Sequence, residues 1–165
     1  MAREIALAGG GVAALVDDED YDRVAAHPWH AHPPNGRTQR WYAARKHEGR
    51  TVYLHRFVTA APAGVEVDHA NGNGLDCRRS NLRIATRGQN EANKAKRSGT
   101  TSSRYKGVYF DKRRGAWHAR IGLAGRHVHL GYFRDEAAAA DAYDRAAREH
   151  FGVFAVLNLD RGARP

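Results

Sequence analysis

The sequence predicts an α+β fold in two parts, and three observations support this prediction. Residues 65–97 combine short β-branched runs, turn residues and a final helical pattern, which predicts strand, loop, strand and helix in succession. Residues 104–150 predict three antiparallel strands followed by one Ala-rich helix. The segment between them is rich in Ser, Thr and Gly, which is typical of a flexible linker. We therefore expect a first domain over 1–97, a linker over 98–103 and a small second domain over 104–165.

The first 60 residues predict short elements that form a scaffold. A short helix is expected around Tyr21–Ala26, and the three prolines of His27–Arg40 predict an irregular loop. The pattern of His55–Ala60 fits either a strand or the start of a helix. Runs of β-branched and aromatic residues predict strands at Val12–Val16, Trp41–Ala44 and Val52–Leu54.

Residues 65–97 predict a compact ββα unit. Val65–Asp68 alternates as a strand does, and Leu82–Ala85 predicts the second strand. Thr86 with Gln89 three residues later is a capping-box pattern, which predicts a helix running to about Arg97.

The last third of the chain predicts a sheet backed by one helix. Asp135 is a suitable N-cap and Gly152 a suitable end for a helix with an apolar stripe of small residues. The predicted strands, which are separated by basic or Gly-containing turns, are Tyr105–Asp111, Ala116–Leu123 and Arg126–Phe133.

Positive charge is concentrated in two stretches of the chain. The net charge is +9, residues 75–97 hold seven basic against two acidic residues, and residues 104–134 hold eight against one. A surface that follows a phosphate backbone requires clustered charge of this kind, so a polyanion is the expected partner. A basic surface that serves only solubility is the alternative explanation.

Composition also indicates the cellular compartment in which we expect the protein. The single cysteine, Cys77, excludes an intrachain disulfide and a multi-cysteine zinc site. No run of 18 apolar residues predicts a membrane span, and the N-terminus has no convincing signal pattern. We expect a cytoplasmic protein of a bacterial or phage-infected cell, with no membrane partner and no small-molecule substrate.

Three side chains between residues 68 and 90 suit phosphodiester hydrolysis. The reaction needs a base, a hard cation that holds the phosphate, and alignment of the substrate. Asp68 offers a carboxylate oxygen, Asn90 a neutral amide oxygen, and His69 an imidazole suited to a general base. One carboxylate and one amide favour a single Mg²⁺ or Mn²⁺ ion over zinc.

The same segment resembles the ββα-metal motif of HNH endonucleases of the phage and homing type. Asp68-His69 matches the leading D-H pair, Asn81 in S-N-L-R matches the central Asn, and Asn90 matches the third signature position. The resemblance implies that His69 activates water, that Asp68 and Asn90 bind the metal, and that Asn81 holds the connecting loop. It also implies that residues 1–97 form an HNH nuclease domain.

Two further positions bear on this resemblance. His55 in L-H-R-F resembles an upstream His of the family, so it either packs or assists the active site. Cys77 stands where the family pattern has Asn, which leaves the hydrogen bonds of that turn open. The candidate catalytic residues are His69, Asn81 and His55.

The C-terminal region resembles the AP2 DNA-binding domain. The matching stretches are Y-K-G-V-Y at 105–109, W-H-A-R-I at 117–121, H-L-G-Y-F at 129–133 and the helix at 136–147. The resemblance implies that the sheet enters the major groove and the helix backs it. Trp117 has an alternative role as a core anchor. The side chains expected at DNA are Arg78, Arg79, Arg83, Arg87, Lys94, Lys96 and Arg97 in the first domain, and Lys106, Tyr109, Arg113, Arg114, Trp117, Arg120, Arg126, His127 and His129 in the second.

Together these features predict a metal-dependent DNA endonuclease of a phage or mobile element, present as a monomer or weak homodimer. A single nuclease motif per chain predicts that a monomer nicks one strand of double-stranded DNA, and that a double-strand break needs a dimer or two successive events. The alternative is a non-catalytic DNA-binding regulator on a nuclease scaffold. An RNA-binding role is weaker, because neither region has an RNA-specific signature.

Overall fold

The computed structural model describes residues 1–9, 11–34, 40–94, 96 and 102–159. The chain divides into two compact units, Met1–Thr86 and Arg87–Pro165. Both consist of small antiparallel sheets with few helices, which confirms the α+β class. Among the described residues, no helix has the length and apolar character needed to cross a membrane.

The N-terminal unit contains three small sheets, made from sequential strands. The strands pair as β1 with β2, as β3, β4 and β5 in that order, and as β6 with β7, all antiparallel. The elements are β1 Ala2–Ala6, β2 Ala13–Asp17, α1 Asp18–Ala25, β3 His30–His32, β4 Tyr42–His47, β5 Arg50–Tyr53, α2 Leu54–Thr59, β6 Glu66–His69, a 3₁₀ turn Arg79–Asn81 and β7 Leu82–Ala85.

One apolar core connects these elements. Val16 of β2, Val24 of α1 and Leu54 of α2 are fully buried in it, because each lies on the inward face of its element. The β1–β2 hairpin also reaches the loop between β6 and β7. The Leu15 N–H donates to the Leu75 carbonyl at 2.8 Å, and the Cys77 N–H donates to the Leu15 carbonyl at 2.8 Å. The first strands of the chain therefore support the loop of the ββ hairpin.

The structure extends the sequence-based assignment at three places. It adds β1, which the sequence did not predict, and it forms α2 where strand and helix were both open. It also places β3 inside the segment that was expected to be irregular. His30 pairs with Ala44 and Ala31 with Ala43, so β3 is held as an edge strand beside β4.

The C-terminal unit is a three-stranded sheet with one long helix on one face. The strand order is β10-β9-β8. The Asp135 carboxylate accepts from the Ala138 N–H at 2.8 Å and caps the helix, and Gly152 follows its last residue, as predicted. The elements are α3 Arg87–Ala92, β8 Val108–Asp111, β9 Ala116–Leu123, β10 Arg126–Phe133, α4 Glu136–Phe151 and a 3₁₀ turn Gly152–Phe154. Helix α3 ends at Ala92, earlier than the predicted Arg97.

Small residues let α4 approach the sheet closely. Ala139 and Ala140 are fully buried against the strands, together with Ala119 of β9. Gly107 has φ +74°, and a Cβ there would lie 2.2 Å from the Tyr143 ring. This position therefore requires glycine both for its backbone conformation and for the contact with the helix.

Candidate active site

The β6–β7 hairpin carries the predicted Asp68-His69 pair at its end. Asp68 lies opposite Arg83, and His69 opposite Leu82, in the antiparallel register. Both side chains are buried: Asp68 is 1% exposed and His69 is 2% exposed. A buried carboxylate beside a buried imidazole is costly unless both have suitable partners. The surroundings of each side chain are therefore informative.

The Asp68 carboxylate is bound by a guanidinium group from the neighbouring strand. Arg83 donates to Asp68 Oδ2 from Nε at 3.0 Å and from Nη2 at 2.7 Å. The buried carboxylate therefore has a cationic partner within the hairpin. Arg83, which was expected at DNA, therefore has part of its positive charge offset by a candidate metal ligand.

The His69 imidazole lies among aromatic rings. Its ring centroid is 5.0 Å from that of His55 in an edge-to-face arrangement and 5.8 Å from that of Tyr42. Burial lowers the pKa of His69 to about 4, although the adjacent Asp68 carboxylate opposes this shift. The ring is consequently neutral at pH 7, which is the form that accepts a proton.

His55 shares this pocket from the start of α2. Its ring stacks on Tyr53 with 5.6 Å between centroids. Burial lowers the pKa of His55 to about 3, and the nearby His69 lowers it further. Its buried Nδ1 has no hydrogen-bond partner within the part of the chain that the structure describes. His55 thus packs against His69, and a catalytic contribution from it stays a prediction.

Asn81 connects the two ends of the loop between β6 and β7. Its Oδ1 accepts from the Asn71 N–H at 2.9 Å, and its Nδ2 donates to the Asp76 carbonyl at 2.7 Å. These backbone contacts are of the kind that the HNH resemblance implies for this position. The side chain therefore holds the loop that follows His69 in one conformation.

Asp76 organises the same loop. Arg78 forks across its carboxylate, with Nε 2.8 Å from Oδ1 and Nη2 2.6 Å from Oδ2. Asn71 adds a third hydrogen bond at 2.8 Å. The hydrogen bonds from Arg78 hold the pKa of Asp76 below its usual range, and its burial acts in the opposite direction. Asp76 was not among the predicted site residues, because only the folded loop reveals its partners.

Cys77 belongs to the core and borders the site. It is fully buried, and its Sγ lies 4.0 Å from His69 Nε2. Burial raises the pKa of the thiol to about 12, so it stays protonated. The turn whose hydrogen bonds the sequence left open is bonded through its backbone to Leu15. Cys77 and Tyr42 are neighbours of His69 that sequence reasoning did not identify.

The second predicted metal ligand, Asn90, lies on α3. This helix belongs to the C-terminal unit, whereas Asp68 belongs to the N-terminal unit. Joint metal binding by the two residues stays a prediction. Within the described ranges there is no group of three or more His, Cys, Asp or Glu side chains arranged around a metal position.

Two arginines expected at DNA have acidic partners in the N-terminal unit. Arg79 donates to both oxygens of Asp20, at 2.8 and 2.9 Å, and pairs with Glu19 at 3.0 Å. Asp20 lies on α1 and is 2% exposed. Arg78 is bound to Asp76 as described above. The acidic start of α1 therefore neutralises part of the positive cluster that the sequence placed at 75–97.

The basic residues at the start of the C-terminal unit differ in their surroundings. Lys96 donates to main-chain carbonyls of Ser103 and Tyr105, and Lys106 to those of Ala92 and Lys94. Lys94 also pairs with Glu91. Arg87 is exposed, and Arg97 lies outside the described residues. The two lysines 96 and 106 thus fasten the segment that precedes the sheet.

The sheet face that α4 leaves uncovered carries aromatic, histidine and arginine side chains. Arg120 lies over the Tyr109 ring at 5.1 Å, and Arg114 over the Tyr132 ring at 4.6 Å. The exposed side chains around them include Arg113, Arg126, His127 and His129.

The inner face of β9 contains Trp117. It alternates with Ala119 and Ile121 along the strand and packs against the core beneath α4. The packing of Trp117 therefore fits its alternative role as a core anchor. His118 faces the other way, and its Nε2 lies 2.5 Å from His129 Nδ1.

Comparison with known proteins finds two kinds of similarity in the chain. Residues 52–92 match a family model described as HNH endonuclease. This matched segment includes His55, Asp68, His69, Asn81 and Asn90. The chain also resembles AP2-like proteins over about a third of its length. Both resemblances recognised in the sequence are thereby confirmed.

Individual relatives match different shares of the chain. An uncharacterized HNH endonuclease of Acanthamoeba polyphaga mimivirus is 34% identical over 113 residues, which cover 65% of this chain and 57% of the viral protein. The APETALA2-like protein 2 of rice is 46% identical over 59 residues, 36% of this chain and 14% of the rice protein. An AP2-like ethylene-responsive transcription factor of Arabidopsis thaliana is 47% identical over 58 residues, 35% of this chain and 12% of that protein. The chain therefore spans only part of each relative.

Proposed function

We propose that this protein is a metal-dependent DNA endonuclease of the HNH type, with the exposed sheet face of its C-terminal unit as a DNA-binding surface. The observation that carries the proposal is the buried Asp68-His69 pair at the end of the β6–β7 hairpin. The pair lies within the segment that matches the HNH endonuclease model. A regulator would have no need to retain all three of Asp68, His69 and Asn90.

In this proposal His69 is the general base that accepts a proton from water. Its ring is neutral over the physiological range because it is buried. Tyr42 and His55 restrict its orientation by ring contacts, and Cys77 borders its Nε2. Asn81 contributes by holding the loop that follows His69, so its role is positional.

The donor chemistry of the site fits a hard divalent cation. Asp68 is a buried carboxylate that already requires a positive partner, which the Arg83 guanidinium supplies. We propose that Asp68 and the amide oxygen of Asn90 hold one Mg²⁺ or Mn²⁺ ion. When bound, such an ion stabilises the developing negative charge on the phosphate and the leaving oxygen. Oxygen donors of this kind suit Mg²⁺ and Mn²⁺ better than zinc.

In this proposal the C-terminal unit provides affinity for DNA. Arg114 and Arg120, held over aromatic rings on the exposed sheet face, are the side chains proposed to contact DNA. A separate binding unit on the same chain raises the effective concentration of the catalytic hairpin near DNA. The mimivirus relative supports a viral setting, and a phage or mobile-element nuclease of the homing kind is the form that we propose.

A sequence-specific regulator is the second candidate. The observation that favours it is the similarity to rice and Arabidopsis AP2-like proteins, one of which is called a transcription factor. This candidate predicts DNA binding without cleavage. The two candidates therefore differ in one measurable property, which is hydrolysis of the phosphodiester bond.

Incubation with supercoiled plasmid tests the proposal. The wild-type protein should nick the plasmid with Mg²⁺ or Mn²⁺ and should stop when a chelator is added. His69→Ala should lower the rate by about 10²–10⁴-fold, because a positioned base contributes on that order. His47→Ala removes an exposed histidine of the same unit and serves as the matched control. An intact plasmid with every protein, or equal cleavage by wild type and His69→Ala, would contradict the proposal.

A further inference from the structure

A β-bulge in β10 brings His129 and Tyr132 to the same face of the sheet as His118. His129 lies opposite Arg120 and Tyr132 opposite His118, with a register shift between His129 and Gly131. Residues three apart in a regular strand point to opposite faces, and the bulge removes this alternation. Gly131 has φ +137°, a conformation that favours glycine. The rings of His129 and Tyr132 therefore meet, with 4.9 Å between their centroids.

His118 lies at the centre of this ring cluster. Tyr109 meets it edge to face at 4.6 Å between centroids, and Tyr132 stacks on it at 4.8 Å. The His118 side chain is buried, whereas His129 is exposed on the uncovered face. Burial lowers the pKa of His118, and the nearby His129 ring lowers it further. The His118 ring is therefore fixed in orientation and neutral at pH 7.

A hydrogen bond between the two imidazoles couples the positions of their protons. It joins Nε2 of His118 to Nδ1 of His129 at 2.5 Å. In a neutral imidazole one nitrogen donates and the other accepts. The Nδ1 of His118 is buried without a hydrogen-bond partner among the described residues. A buried N–H that donates to nothing is rarer in folded proteins than an acceptor that goes unused, which favours a proton on Nε2 of His118.

We propose that His118 is a positioning residue, which donates to Nδ1 of His129 and so fixes the exposed His129 as a hydrogen-bond donor, through Nε2, to an acceptor atom of DNA. This inference rests on the proposed function, since it takes the exposed sheet face as the DNA-binding surface. A purine N7 in the major groove and a phosphate oxygen both offer the required acceptor. A fixed donor disfavours the amino groups of adenine and cytosine, which are donors themselves.

Nuclear magnetic resonance of the ¹⁵N-labelled full-length protein tests the proton positions without any substitution. The measurement is made at about pH 8, well above the ordinary pKa of a histidine. We expect the proton of His118 on Nε2, with a scalar coupling across the hydrogen bond to Nδ1 of His129. A proton on Nδ1 of His118, or the absence of this coupling, would overturn the proposal.

DNA binding at the same pH tests the consequence, by fluorescence anisotropy with a labelled duplex. His129→Ala should weaken binding by about 2–10-fold, the range that one hydrogen bond supports. His118→Phe retains a ring between Tyr109 and Tyr132 but loses the donor, and it should also weaken binding by about 2–10-fold. His150→Ala removes an exposed histidine of α4 and should leave the affinity unchanged.

The double variant separates positioning from a contact of its own. If His118 acts through His129, His118→Phe should cost nothing further once His129→Ala is present, because the two effects are not additive. A double variant whose loss equals the product of the two single losses would contradict the positioning role of His118.

A duplex that contains 7-deazaguanine and 7-deazaadenine lacks the purine N7 and identifies the acceptor. If wild type loses affinity for this duplex and His129→Ala does not, the acceptor is N7. If both lose affinity equally while His129→Ala remains the weaker binder, the acceptor is an oxygen.

Arg120→Gln distinguishes the possible failures. If Arg120→Gln weakens binding while His129→Ala and His118→Phe bind as wild type does, only the inference on the histidines is overturned. If none of the three variants weakens binding, the exposed sheet face is not the DNA-binding surface, and that part of the proposed function fails as well.

Discussion

The imidazole rings of His55 and His69 lie edge to face with 5.0 Å between their centroids, and burial keeps both rings neutral. The two histidines come from different elements, α2 and the end of β6. Their contact joins the segment that precedes the β6–β7 hairpin to the candidate catalytic position. Because burial lowers the pKa of both rings, we expect the N-terminal unit to be sensitive to acid.

The first prediction concerns stability against pH. The pKa values of His55 and His69 are about 3 and about 4 in the folded chain, below the ordinary value of 6.5. Below pH 6.5 the unfolded chain binds protons that the folded chain does not, so acid favours unfolding. The free energy of unfolding should fall from pH 6.5 towards pH 4, by up to about 1.4 kcal/mol per pH unit for each ring.

His55→Phe tests the contribution of one ring. The variant should retain the fold, because the Nδ1 of His55 is buried without a hydrogen-bond partner among the described residues. Urea denaturation at several pH values should show about half the wild-type pH dependence. His47→Gln replaces an exposed histidine and serves as the control. An unchanged acid slope in His55→Phe would count against this account.

The second prediction concerns the loop that Asn81 holds. Asn81→Ala leaves the Asn71 N–H and the Asp76 carbonyl without their side-chain partner. The loss should lower the free energy of unfolding by about 2–4 kcal/mol, since each unsatisfied buried group costs about 1–3 kcal/mol. Denaturant unfolding measures this change. Asn73→Ala, at an exposed position of the same loop, should cost less than about 1 kcal/mol.

The third prediction concerns Arg79, whose guanidinium binds Asp20 on α1. Arg79→Met leaves a buried carboxylate with Arg23 as its remaining cationic partner. The free energy of unfolding should fall by about 1.5–3 kcal/mol, the usual value for a hydrogen bond to a charged group. A double-mutant cycle with Asp20→Asn measures the coupling. A normal melting curve combined with a large loss of DNA affinity would reverse this interpretation.

The fourth prediction concerns the exposed sheet face of the C-terminal unit. If Arg120 contacts one phosphate, Arg120→Gln should reduce the slope of log affinity against log salt by about 1. Fluorescence anisotropy with a labelled duplex measures this slope. Arg145→Gln removes an exposed arginine of α4, where it pairs with Asp141, and should leave the slope unchanged. Equal slopes for wild type and Arg120→Gln would exclude this contact.

The sequence predicted the elements whose pattern is local. Strands β7, β9 and β10 have the predicted bounds, because β-branched and aromatic residues lie between strong turn signals. Helix α4 begins and ends as its capping residues indicate. Strand β3 was not predicted, since its pairing with β4 joins residues that are distant in sequence and prolines flank it.

In the candidate site, too, the sequence predicted local features and missed the contacts that depend on the folded loop. The spacing of Asp68, His69 and Asn81 was readable from the chain. The fork of Arg78 on Asp76 and the contact of Cys77 with His69 depend on how the loop folds back on itself. The pairing of Arg79 with Asp20 joins residues far apart in sequence, so a charge pattern along the chain cannot predict it.

Two hydrogen bonds connect Leu15 to the β6–β7 loop, and they limit how the candidate active-site hairpin can be transferred to another protein. The segment that matches the HNH endonuclease model begins at residue 52, yet its loop is hydrogen-bonded to β2, a strand that ends at Asp17. A fragment that begins at residue 52 would contain Asp68 and His69 but would lose the hydrogen bonds from Leu15 that support the loop. Engineering or recombination that moves the β6–β7 hairpin to another host protein therefore has to include the β1–β2 hairpin.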